Sequence, residues 1–129
     1  MKKILLLGAV AALVLTASLV AAPDQQVLKG EYFWTYDNTR GDLKATLTPT
    51  GENTWDIAFD FRFSGEPHTY KGTATGSLDN GSLAGTVKNE NGRRTFTFEG
   101  SFDDGRFEGT HAELRKGKER SMGTLWLAR

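Results

Sequence analysis

The sequence predicts an all-β protein: an eight-stranded antiparallel up-and-down meander closing into a soluble barrel, preceded by an N-terminal signal helix. Three observations predict it. From Val27 onward apolar and polar residues alternate with a period of two, the pattern of a half-buried strand. Turn residues recur about every ten positions. Glycines are interspersed among large aromatic residues, as a tightly curled sheet needs.

The first element lies before the barrel. Met1, Lys2 and Lys3 are followed by an almost wholly apolar run from Ile4 to Val20, then Ala21 and Ala22 and the polar Pro23-Asp24-Gln25-Gln26. A basic start, an apolar middle and a small-residue exit form the layout of a secretory signal peptide. The expected organisation is therefore a signal over 1–22 and a single barrel domain over 23–129, exported to the periplasm or secreted. Cleavage after Ala21 is an alternative to cleavage after Ala22, and an uncleaved membrane anchor is the plain alternative to both. The chain has no cysteine, which excludes a lipid-anchored start and any disulfide. Removing Lys2 and Lys3 leaves 16 − 2 = 14 basic against 16 acidic residues. Nothing in that near balance calls for a nucleic-acid partner, or for membrane contact once the signal is removed, and neither is expected.

Strands are expected near 27–36, 43–49, 54–63, 68–78, 82–90, 93–102, 106–115 and 119–128. The third is the clearest: in Trp55-Asp56-Ile57-Ala58-Phe59-Asp60-Phe61-Arg62-Phe63 every odd residue is large and apolar. A helix would scatter these rings around its circumference. Asn80-Gly81, Asn91-Gly92 and Asp104-Gly105 read as two-residue turns, since these pairs tolerate positive φ. They predict Leu78 opposite Leu83, Val87 opposite Phe96, and Phe102 opposite Phe107. The Ser64-Gly65-Glu66-Pro67 connection is expected to pair Phe63 with His68 and Phe61 with Tyr70. Two of the turns lie in a repeat: Gly76–Thr86 closely matches Gly100–Thr110. Every turn keeps the apolar set of successive strands on one face, as a buried face requires. The glycines at 30, 72, 76, 85, 100, 109 and 123 fall inside strands. Outward positions such as Lys44, Thr46, Thr48, Thr69, Lys71 and Thr73 are polar, whereas a membrane barrel needs apolar residues there.

A secreted eight-stranded barrel of this kind resembles the calycin architecture of lipocalins and avidin-type proteins. The residues to compare are Gly30-Glu31-Tyr32-Phe33-Trp34 and Arg129, against the Gly-x-Trp motif and late arginine of lipocalins. The tryptophan here stands four residues after the glycine, so the resemblance is one of topology and not of motif. It implies a binder of small ligands and no specific task.

With the register set, the inward residues nearest one rim are Tyr36, His68, Tyr70, Asn89, Arg94, His111 and Glu113. Those nearest the other are Leu47, Trp55, Leu78, Leu83, Phe102 and Phe107. A polar mouth over an apolar floor is the form of a small-molecule pocket, and those seven polar residues are the candidate ligand-binding site. The plain alternative is that any barrel's wet mouth is polar. His68, His111 and Glu113 match a three-ligand metal set in type, but two histidines on distant strands do not make a metal site, and no metal or cofactor is expected. No nucleophile elbow, phosphate loop or Cys–His pair occurs, so the function expected is non-enzymatic. It is a binding module for a small apolar or aromatic ligand. The alternative is a protein-interaction module, either an inhibitor of an exported hydrolase or a seam-mediated dimer, or else a structural envelope protein. Phe33 and Trp126 should point outward from the first and last strands beside Val27, forming a candidate interaction patch; the 37–42 loop would be a second contact. The basic stretch Arg115-Lys116-Gly117-Lys118 reads as a solvated hairpin tip.

Overall fold

The structure, a computed structural model, describes residues 24–129. The segment read as a signal, 1–22, lies outside the described residues. From Gln26 onward the chain forms a closed barrel of eight antiparallel strands, each bonded to its neighbours in sequence, with the last returning to the first. The strands are β1 (Gln26–Trp34), β2 (Thr39–Gly51), β3 (Thr54–Phe63), β4 (Glu66–Gly76), β5 (Ser82–Lys88), β6 (Thr95–Asp103), β7 (Arg106–Arg115) and β8 (Lys118–Ala128). Closure runs from Lys29 opposite Ala128 to Trp34 opposite Gly123, so neither terminal strand is left as an open edge.

The predicted alternation holds along the strands, broken in β8 where the consecutive Met122 and Gly123 are both buried. Leu28, Leu47, Ile57, Phe59, Val87, Phe98, Phe107 and Leu127 are buried in one core, while residues between them face out. The lower end is closed by hydrocarbon. Leu47, Leu83 and Phe107 are fully buried there, and Leu78 and Phe102 nearly so. Trp55 completes this floor, its indole N–H donating to the Gly76 carbonyl at 3.0 Å.

Inward glycines let the wall bend this sharply. A Cβ on Gly72 would overlap the Thr86 carbonyl oxygen on β5, so no other residue permits that close approach. Gly100 faces Gly109 across β6 and β7, and the Phe107 ring lies over both, 2.7 and 2.9 Å from where their Cβ atoms would be. Bending and ring coverage are thus met by the same positions.

The hairpins correct several expectations. Asp104-Gly105 is the tight turn foreseen, with φ of 54° and 79°, and Phe102 stands opposite Phe107. The 63–68 connection is tighter than expected. Ser64 and Gly65 have φ of 53° and 80°, so they alone make the turn, and Phe63 pairs with Glu66, Phe61 with His68 and Phe59 with Tyr70. Pro67 is tolerated inside β4 because β5 joins β4 only from Lys71 onward. The Asn80-Gly81 turn is wider than expected. Neither residue takes positive φ, Gly76 pairs with Leu83, and the intervening loop carries Leu78 inward to plug the floor. The two repeat copies therefore diverge: Phe102 stays in its ladder, whereas Leu78 leaves. At Asn91-Gly92 the pairing is as predicted, Val87 opposite Phe96, but only Gly92 takes positive φ. The loop is closed by the Asn89 side chain, which accepts from the Arg94 N–H at 3.1 Å.

β1 also ends earlier than expected. Asp37 accepts from the backbone N–H of Thr39 at 3.1 Å and from its hydroxyl, an Asx turn that starts β2 at Thr39. Finally, the β7–β8 ladder shifts register between His111 and Ala112, pairing His111 with Gly123 but Ala112 with Ser121. This bulge turns Met122 into the core.

Candidate functional site

The upper end of the barrel is not filled. A cavity of about 130 Å³ lies among Tyr32, Trp34, Phe59, Phe61, Phe63, Tyr70, Val87, Phe96, Phe98 and Leu125, and reaches the mouth at His68, Arg94 and His111. Alternation places these rings inward, and their packing is mutual. Phe61 stands edge-on to Tyr32 at 5.4 Å, Tyr70 edge-on to Phe96 at 5.6 Å, and Phe59 edge-on to Phe98 at 5.2 Å. The cavity is the space left among these rings and the aliphatic Leu43, Val87 and Leu125.

The polar groups at the mouth are each held by a specific partner. His111, on β7 beside the bulge, stacks on Trp34 at 5.8 Å, and its Nε2 lies 3.1 Å from the Phe33 carbonyl. Burial pushes its pKa below the ordinary imidazole value, against the opposing effect of backbone carbonyl partners, so the ring sits neutral beneath the mouth. His68 on β4 stacks on Phe61 at 5.5 Å. The Tyr70 hydroxyl is pushed up in pKa, by burial first and by Glu113 in addition, while Arg94 opposes both. The Tyr32 hydroxyl donates to the Arg62 carbonyl at 2.7 Å.

Charge is concentrated on one side of the mouth. Glu113 is buried, the one charged residue in the core among the described residues. It is clasped by Arg94 through Nε and Nη2 at 3.0 and 3.1 Å, and by Arg115 through Nη2 at 3.1 Å. Hydrogen bonding from Arg94 holds the Glu113 carboxyl below the usual carboxylate range, with Arg115 adding to this and burial opposing it. The carboxylate thereby fixes Arg94, whose guanidinium lies 5.1 Å over Phe96 and 5.9 Å over Trp34. A cation on those ring faces is favourable in itself.

Of the seven residues predicted for the mouth, His68, Tyr70, Arg94 and His111 line the cavity, and Glu113 stands behind Arg94. Tyr36 does not join them: it lies in the turn after β1 and is 86% exposed. Asn89 is spent on closing the β5–β6 loop. Phe33 and Trp126 do face outward, half-buried, each under an arginine: Arg40 lies 5.5 Å over Phe33 and Arg106 4.2 Å over Trp126. Trp126 also donates to Glu31 at 3.1 Å. Among the described residues no three His, Asp or Glu side chains converge. The alternation does not announce Arg115 as part of the site. The signal for it is the Asp104-Gly105 turn itself, which carried upward sets Phe96 opposite Glu113 and so brings Arg94 level with Arg115.

No protein-family model, curated protein or solved structure matches this chain.

Proposed function

We propose that the chain is an exported, non-enzymatic binding module that holds a small apolar or aromatic molecule in the mouth of its barrel. The observation that carries this reading is the cavity of about 130 Å³ above a closed hydrocarbon floor. A close-packed interior holds few voids larger than a water, and a dry apolar cavity of about 150 Å³ is known to admit benzene. One aromatic ring matches that space in size. The mouth's ionisable groups support binding over catalysis, because Glu113 is engaged by two arginines and His111 by a carbonyl and a stacked indole. Export rests on the basic start and apolar run of Met1–Val20, and the resemblance to calycin barrels is in keeping with a carrier. Phe33 and Trp126 offer less for a protein contact, since each ring is already covered by its own arginine.

Toluene is the probe. Trp34 lines the cavity, so occupancy is expected to change tryptophan emission saturably and to raise the unfolding midpoint as ligand binds the folded state. Val87→Phe, which places a ring in the void, should abolish both responses. No saturable change with toluene, or the same response in Val87→Phe, would sink the proposal.

A further inference from the structure

Resting on the reading of the cavity as a binding site, we infer that its ligand is a single-ring aromatic acid: an aryl ring among Trp34, Phe61 and Phe96, with a carboxylate or similar compact anion facing Arg94. Three observations converge on this class.

The first is the charge of the lining. Arg94 lines the cavity and no aspartate or glutamate does. The cluster behind it, Arg94 and Arg115 against Glu113, sums to 2 − 1 = +1. The second is the unused capacity of Arg94. Its Nε and Nη2 are bonded to Glu113, which leaves the two N–H donors of Nη1 outside that pair, with the uncharged Tyr70 hydroxyl as the guanidinium's further neighbour. Glu113 is thus a positioning residue: it fixes the guanidinium at the rim without neutralising it, and 43% of the Arg94 side chain remains exposed to an incoming group. The third is exclusion. Aromatic cages ordinarily suit cations, but here the protein's own guanidinium covers Trp34 and Phe96. A ligand ammonium would have to displace it and meet its charge. A neutral ring gains the apolar burial alone, whereas an aryl anion gains the burial and a charge-assisted hydrogen bond.

Calorimetric titration at pH 7 with three probes of similar size, benzoate, toluene and benzylammonium, tests the inference. Benzoate is expected to bind about tenfold more tightly than toluene, and benzylammonium more weakly than either. Arg94→Met keeps the aliphatic stem over the rings but removes the charge; the benzoate-to-toluene ratio should fall toward one. Arg115→Gln, at a side chain 60% exposed, is a second variant that does not threaten folding, and it should lower the ratio several-fold. Toluene binding with benzoate no tighter overturns the inference and leaves the cavity as a binding site. A ratio unchanged in both variants overturns it as well. Binding of none of the three overturns the site reading together with it.

Discussion

Replacing Glu113 by glutamine isolates the contribution of one buried charge. The carboxylate accepts three guanidinium contacts, at 3.0 and 3.1 Å from Arg94 and 3.1 Å from Arg115. Glutamine keeps the shape but accepts at one end only, and turns an NH₂ toward other donors. At such distances each charge pair is worth up to about 4 kcal/mol at an effective permittivity near 20. Two corrections reduce this. The arginine side chains are 43% and 60% exposed, so solvent screens them, and the amide is spared the desolvation cost of a buried carboxylate. The site lies between an exposed pair, worth under about 1 kcal/mol, and a buried one, whose breakage costs about 3–5. We expect a loss of about 2 kcal/mol at pH 7. The sign of its pH dependence follows from the lowered pKa of Glu113. The stabilisation is complete above the unfolded-state value of about 4.3 and is lost as pH falls through the lower folded-state value. Wild type and variant should therefore differ fully at pH 6–7 and converge in acid. Urea unfolding followed by tryptophan emission gives the midpoint and slope at each pH. A penalty that persists unchanged into strong acid would refute the electrostatic origin, and one below about 0.5 kcal/mol at pH 7 would make the cluster a screened surface pair.

Two further outcomes concern the wall and the mouth. Gly72→Ala should cost about 3 kcal/mol or prevent folding, because the new Cβ overlaps the Thr86 carbonyl oxygen, with that carbonyl carbon and the Val87 Cα only 2.8 Å away; Gly105→Ala, in a turn with open space around it, should cost about 1–2 kcal/mol for its positive φ. Thermal melts compare them, and equal losses would contradict the close approach of β4 to β5. His111, held neutral by burial, contributes stability that is complete above its unfolded-state pKa of about 6.5 and is lost as pH falls through the lower folded-state value. His111→Gln should flatten the decline in urea midpoint on going from pH 7 to 5, and an unchanged slope would show that the imidazole is not the titrating group.

The candidate site was partly legible before the fold. Arg94, His111, His68 and Tyr70 carry inward parity at a shared rim, and parity is set by each residue's own place in an alternating run. Tyr36 shares that parity on paper, yet Asp37 ends the strand before it by bonding Thr39, a local competition that periodicity does not register. The ion cluster around Glu113 needed both the β6–β7 register and the side-chain reach of Arg115.

Which side of the wall each residue occupies is therefore a property of the sequence, because a pleated strand has a period of two and a slip by one residue would expose the whole core. Slips by two residues preserve parity and are invisible to it, so the offsets at Ser64-Gly65 and around Leu78 were decided only in three dimensions. There the packing of Phe61 against His68, and the need to plug the floor with Leu78, select among registers that alternation leaves equal. The cavity is decided at the same level. Its volume is what remains when rigid rings meet edge to face, a difference between large packed volumes that no residue carries alone.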